Sequence, residues 1–168
     1  MAYIALFAAF MAVCAQICLP FAVPFTMQTF ALLLSLLLLG KDAVTAIAVY
    51  IIIGAVGAPA FSGFMGGMGV LAGATGGYIF GFLLSALAYR LVIRLFGDQS
   101  IPRVIGCIMA LLTCYLTGML WYSYASGTML WHAFLTGVLP YLLPDIAKLL
   151  LALWLSKRLL RCGGNINM

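Results

Sequence analysis

The sequence predicts an all-α integral membrane protein, a single membrane domain over residues 1–168 with six membrane-spanning helices and both ends of the chain cytoplasmic. Three observations carry this expectation. Hydrophobic residues make up 67% of the chain and charged ones 7%, and the mean hydropathy is +1.25. A soluble domain carries about 25% charged residues, so this composition cannot build a water-facing surface. The apolar residues fall into segments separated by glycine and proline, and the few basic residues gather on one side of the layout those segments imply.

The first segment, 1–19, has no basic residue before it and none after it until Lys41, so it is read as a membrane helix rather than a cleaved signal. Ala2, Ala5, Ala9 and Ala12 share one of its faces, and Ala5-x-x-x-Ala9 and Ala8-x-x-x-Ala12 are spaced for close approach by another helix. Spacing leaves open whether that helix is internal or belongs to a partner. The next two segments, 28–39 and 42–56, are short. The first follows Pro20 and Pro24, the second ends in "GAVGAP", and "GKD" joins them. Segments 76–96, 104–122 and 144–161 complete the set. The weaker stretch 129–139, next to Pro140 and Pro144, reads as a short lid or interfacial helix.

With the N-terminus inside, Lys41, Arg90, Arg94, Arg103, Lys157, Arg158 and Arg161 all fall at or near the cytoplasmic face, seven of the eight basic residues. Trp121, Tyr122, Tyr124 and Trp131 then mark the outer interface, and Tyr89 and Trp154 the inner one. Inner turns are short. The outer connections 20–27, 57–75 and 123–143 are long and irregular, which calls for a functional reason.

The remaining basic residue is Lys148, three residues after Asp145 in "LLPDIAKLLLALWL". A helix rises about 1.5 Å per residue, which sets Lys148 about 13.5 Å and Asp145 about 18 Å above Lys157, deep in a hydrocarbon core of about 30 Å. Capping of a helix start explains Asp145, and an ion pair within one helix turn explains both residues, but snorkelling explains Lys148 badly at that depth. Alternatively the two line a polar cavity, because a buried charge costs about 2.5–3.5 kcal/mol and intramembrane charges mark substrate paths. Interrupted or short membrane segments point to the same depth. Polar and glycine positions in the outer connections add candidates: Thr26 and Gln28 at the start of the second helix, and Ser62, Gly66, Gly67, Thr75 and Tyr78 around the glycine-rich loop. Gly77, Gly81 and Ser85 form a small-residue face suited to helix packing.

Several function classes are excluded or disfavoured. No Walker A, G-x-S-x-G or H-E-x-x-H pattern occurs, and "GKD" lacks the rest of a phosphate loop. The one histidine, His132, lies beside Trp131, and the three acids are all aspartates, so acid–base catalysis has almost no candidates. Cys14, Cys18, Cys107, Cys114 and Cys162 form no C-x-x-C pair and read as small packing residues. The chain is therefore expected to be no enzyme, to hold no metal or cofactor, and to bind no nucleic acid.

The residues assembled above resemble the BioY family, the biotin-specific S components of energy-coupling factor (ECF) vitamin transporters. The resemblance covers nearly the whole chain. It rests on "VPFTMQTFALLLSLLLLGKDAVTAIAVYIIIGAVGAPAFSGFMGG" (23–67), "LAGATGGYIFGF" (71–82) and "LPDIAK" (143–148), in that order and spacing. The sequence departs at Ala74, where the family usually shows proline, and at Phe64 and Met65, where some members carry a polar side chain. The resemblance implies a six-helix S component of a bacterial cell membrane that binds biotin in its outer half. Asp145, Lys148, Gln28, Thr26, Gly66, Gly67, Thr75 and Tyr78 would be the ligand contacts. It also implies a transmembrane T component and a pair of cytoplasmic ABC-type ATPases as partners, with Ala5, Ala8, Ala9 and Ala12 as docking face; ATP would be used by those partners only. An S component or solitary carrier for another small vitamin and a structural membrane assembly subunit are the competing readings, and each is compatible with a homo-oligomer.

Overall fold

The structure, a computed structural model, describes residues 1–19 and 23–162. Pro20, the start of the 20–27 connection, and the tail 163–168 lie outside the described residues, as does the side chain of Cys162. The chain is built of helices α1 (Ala2–Gln16), α2 (Gln28–Leu39), α3 (Ala43–Ala55), α4 (Met68–Ala72), α5 (Gly76–Phe96), α6 (Ser100–Ser126), α7 (Leu130–Gly137) and α8 (Leu142–Cys162). Two short strands, β1 (Cys18–Leu19) and β2 (Phe25–Thr26), pair antiparallel.

Among the described residues, four helical segments are long and apolar enough to cross a membrane: Gln28–Ala55, Gly76–Phe96, Ser100–Ser126 and Leu130–Arg161. The first is not one rod. Gly40, at φ +55°, breaks it, and Gln28 at the start of α2 donates a hydrogen bond to the Tyr50 hydroxyl near the end of α3, so α2 and α3 fold back as an antiparallel hairpin. At about 1.5 Å per residue, each arm reaches only part of the way through a bilayer. The last segment is also divided, by a 3₁₀ turn at Leu139–Tyr141 between α7 and α8.

Where elements differ from the sequence expectation, local chemistry explains it. Helix α1 stops at Gln16, whose amide turns back to Ala12 and across to the Pro59 and Phe61 carbonyls, and the following residues pair as β1. Helix α6 starts at Ser100 and α8 at Leu142, ahead of the expected starts, because Pro102 and Pro144 sit in the first turn, where a missing N–H costs nothing. The 57–75 connection is not irregular throughout: it holds a 3₁₀ turn at Ser62–Phe64, closed by the Phe61–Met65 bridge, and then α4.

The core runs down the axis, with Met11, Leu32, Leu33, Leu36, Ile47 and Cys107 fully buried. Helices α5 and α6 pack most closely. A Cβ added to Gly77 would lie 2.1 Å from Trp121 Cβ, and one on Gly81 2.4 Å from Thr117 Oγ1, while Ser85 donates to the Ala110 carbonyl at 2.6 Å. The small-residue face of α5 thus brings α6 into near-backbone contact. On α1 the alanines divide. Ala5 and Ala9 are exposed and Ala12 half-buried, but Ala8 is 2% exposed and faces the core, so of the four alanines that the resemblance implies for docking, Ala8 packs inside this chain. The helical period explains this, since Ala8 lies at the inner edge of the stripe on the side that packs on α2 and α3.

Candidate functional site

Asp145 and Lys148 lie one turn apart on α8, 2% and 6% exposed, with Lys148 Nζ 2.7 Å from Asp145 Oδ1. The short first arm of the hairpin makes their environment, because α2 starts beside α8 and presents its first turn to it. Lys148 Nζ also donates to the Thr26 carbonyl at 2.7 Å and to Thr29 Oγ1 at 2.8 Å, which spends its three protons. Thr29 in turn donates to Asp145 Oδ1 at 2.8 Å, and the Tyr115 hydroxyl on α6 donates to Oδ2 at 2.5 Å. The ammonium lies 4.1 Å from the centroid of the Phe25 ring on β2, a cation–π contact. Gln28 and Thr26 extend the network: Thr26 Oγ1 donates to Gln28 Oε1 at 2.9 Å, and Gln28 passes the chain on to Tyr50.

No buried side-chain nitrogen or oxygen among the described residues lacks a partner. A buried ion pair survives desolvation only when its remaining protons and lone pairs are satisfied in this way. The network therefore meets the structural requirement for two charges in an apolar bundle, and it leaves them facing a cavity.

That cavity encloses about 60 Å³. Asp145, Lys148, Thr26, Gln28, Thr29 and Tyr115 form its polar side, and Ile79 and Phe82 its apolar side. Val23, Pro24, Ser62, Thr75, Gly137 and Tyr141 also line it and come from three different connections. Tyr78 is fixed with unusual care: its ring lies on Gly118, where any added Cβ would sit 2.2 Å from the ring, and its hydroxyl donates to the Gly137 carbonyl at 2.9 Å. Tyr141 donates similarly to the Val23 carbonyl and stacks on Phe25 at 6.2 Å between centroids. Ligand clefts generally measure about 300–1,000 Å³. A ligand of that size therefore requires the lining to move apart.

Six of the residues singled out in the sequence, Asp145, Lys148, Gln28, Thr26, Thr75 and Tyr78, come together around this cavity, and Ser62 joins them. Gly66 and Gly67 do not line it. They shape the loop: a Cβ on Gly66 would lie 2.1 Å from the Ala58 carbonyl oxygen, and Gly67, at φ +91°, donates its N–H to the Gly54 carbonyl at 2.7 Å. Thr29, Tyr115 and Tyr141 were missed by sequence reasoning. Tyr115 offers only a phenol partway along an apolar helix and Thr29 only its place beside Gln28, and neither position says that its hydroxyl meets Asp145.

The sequence model of the BioY family matches residues 1–164. The chain is 38% identical over 158 residues to a protein of Pyrococcus horikoshii named "Probable biotin transporter BioY", covering 93% of each chain. It is 30% identical over 166 residues to "Biotin transporter BioY2" of Lactococcus lactis subsp. cremoris, covering 98% of this chain and 91% of that one. In fold it matches the crystal structure of the S-component for biotin from an ECF-type ABC transporter with a TM-score of 0.86, at 20% identity, over 97% of this chain and 91% of that one.

Proposed function

The chain belongs to the BioY family, and on that premise we propose that it is a high-affinity biotin-binding membrane subunit of an ECF-type importer, working with a transmembrane T component and a pair of cytoplasmic ABC-type ATPases. The observation that carries the proposal is the Asp145–Lys148 pair, buried at mid-bundle yet opening onto a cavity that Ile79 and Phe82 also line. Biotin needs such a mixed lining: its bicyclic body is apolar, its ureido group offers N–H donors and a carbonyl, and its tail ends in a carboxylate. Asp145, oriented by Tyr115 and Thr29, accepts N–H bonds, and Lys148 exchanges one of its three internal bonds for a ligand oxygen. Thr26 and Gln28 supply polar contacts beside them, and Ile79 and Phe82 lie against the apolar body. Thr75, Tyr78 and Ser62, with the loop shaped by Gly66 and Gly67, cover the entrance. The exposed alanines of α1, Ala5 and Ala9 with Ala12 at the margin, form the docking face for the T component.

The test is saturable binding of radiolabelled biotin to the purified protein, with mass identification of any small molecule that copurifies. Displacement by unlabelled biotin but not by other small vitamins is the expected result. Displacement by another vitamin at lower concentration would reassign the ligand, and absence of saturable binding would defeat the proposal. A second reading is favoured by one observation, the complete internal pairing of Asp145 and Lys148: the couple then serves only to hold α8 against α2 and α6. That reading requires the pair to matter for stability and not for ligand.

A further inference from the structure

At the end of the bundle away from the Asp145–Lys148 cavity, the first turn of α1, the Gly40–Asp42 reversal, the last turns of α5, the start of α6 and Leu160 of α8 surround a cleft of about 820 Å³. It is far larger than the cavity at the candidate site and different in character. Its floor is apolar, with Leu36, Leu37 and Tyr89 buried, and its cations are Lys41, Arg90, Arg94 and Arg103. Arg103 is occupied: it holds Asp98 through two bonds of 2.6 and 2.8 Å. Lys41, Arg90 and Arg94 make no hydrogen bond or ion pair with any described side chain, and the one other carboxylate lining the cleft is Asp42. Three cations therefore converge on one concave space with a single acid to offset them.

The surface next to the cleft says what kind of anion belongs there. Leu84, Leu87, Leu91 and Leu95 on α5 are 45–67% exposed and follow one another at helical spacing, so they form an aliphatic stripe along the outside of the helix. Arg90 and Arg94 lie at the cleft end of that stripe. A free phosphate would use the cations and ignore the stripe. A molecule with a phosphate head and hydrocarbon tails uses both, and charge asymmetry assigns this end of the bundle to the inner leaflet, where such molecules carry negative charge.

We propose that this cleft is a binding site for the phosphate headgroup of an anionic phospholipid of the inner leaflet, gripped by Lys41, Arg90 and Arg94 with an acyl chain lying along Leu84–Leu95. Arginine suits the task because its planar fork matches phosphate oxygens in pairs.

Native mass spectrometry of the delipidated protein in detergent tests this, with phosphatidylglycerol, phosphatidylcholine and inorganic phosphate titrated separately. The expected result is one phosphatidylglycerol retained in preference to phosphatidylcholine, with no competition from phosphate at equal concentration. An Arg90→Ala/Arg94→Ala variant should lose about thirtyfold in affinity and Lys41→Ala about fivefold. Lys157→Ala/Arg158→Ala removes cations that lie outside the cleft and should change nothing. Equal retention of the two lipids would overturn the proposal, as would wild-type retention by the arginine variant or displacement by free phosphate. A melting temperature unchanged from wild type confirms that each variant is folded, and Arg94→Lys, which keeps the charge, should retain the lipid if the double variant does not fold.

Discussion

Neutralising the Asp145–Lys148 couple one partner at a time, and then both together, separates its role in folding from its role toward ligand. Asp145→Asn keeps the shape and removes the anion, which leaves the Lys148 ammonium, 6% exposed, with only neutral acceptors: the new amide oxygen, the Thr26 carbonyl and the Thr29 hydroxyl. Lys148→Met removes the cation and leaves a carboxylate 2% exposed, facing only the hydroxyls of Thr29 and Tyr115. An uncompensated buried charge costs about 3–5 kcal/mol, so each single variant should lose that much stability. The Asp145→Asn/Lys148→Met variant leaves no buried charge and should return to within about 2 kcal/mol of wild type, a coupling far outside simple additivity. Ligand should not return with stability. Both groups are proposed contacts, so biotin affinity in the double variant should stay about 30- to 5,000-fold below wild type, a deficit of about 2–5 kcal/mol. The stability arm is read by denaturant titration of the detergent-solubilised protein, and the binding arm by equilibrium binding of radiolabelled biotin. Single variants as stable as wild type would refute the claim that the pair is desolvated. A double variant with wild-type affinity would refute its role in binding and leave it a structural strut.

Three further outcomes follow from the packing. Gly77→Ala forces a methyl group to within 2.1 Å of Trp121 Cβ, so it should cost about 1–3 kcal/mol, read as a lower melting temperature of the solubilised protein. Gln16→Ala removes the side chain that bonds the Pro59 and Phe61 carbonyls and accepts from the N–H of Phe64, a residue held at φ +57°; amide exchange in 59–65 should speed up while the α5–α6 interface stays protected, and unchanged exchange would show that the loop holds itself. At Asp98, the hydrogen bonds from Arg103 hold the carboxyl below its usual range, so the pair's contribution is present above the ordinary carboxylate pKa and is lost as pH falls through the lowered one. Because the Asp98 side chain is 48% exposed, Asp98→Asn should change stability at neutral pH by only about 0–1 kcal/mol, and a larger loss in a thermal melt would mark the turn as more buried than it is.

The charged pair was legible in the sequence because a lysine amid leucines violates the composition around it, and a helix rise converts its position directly into depth. Gln28 and Thr26 were legible for a related reason, since they interrupt apolar residues where a short helix begins. Thr29 and Tyr115 were not, although they hold Asp145 as firmly as Lys148 does. A threonine or a tyrosine is at home in a membrane helix, and only the meeting of α2, α6 and α8 tells which hydroxyl points at the carboxylate. The glycine-rich connection shows a different limit. Gly66 and Gly67 look alike whether the backbone must approach a ligand or another stretch of chain, and here the neighbours are Ala58 and Gly54. Helix α1 shows a third: alanines at spacings of three and four spread across enough of the surface that Ala8 and Ala9 end on opposite sides of the boundary between core and exterior.

The mutual compensation of Asp145 and Lys148 has an electrical consequence. The couple contributes no net charge to the middle of the bundle, so a guest with an ionised carboxylate brings its negative charge there unbalanced. Across an energised membrane, negative within, carrying that charge inward runs against the voltage by about 2.3 kcal/mol per 100 mV if it crosses the whole field. The empty site, by contrast, carries no net charge from this pair. Under the proposed import, inward delivery of such a guest is thus the step that works against the voltage, and the demand for outside work falls there.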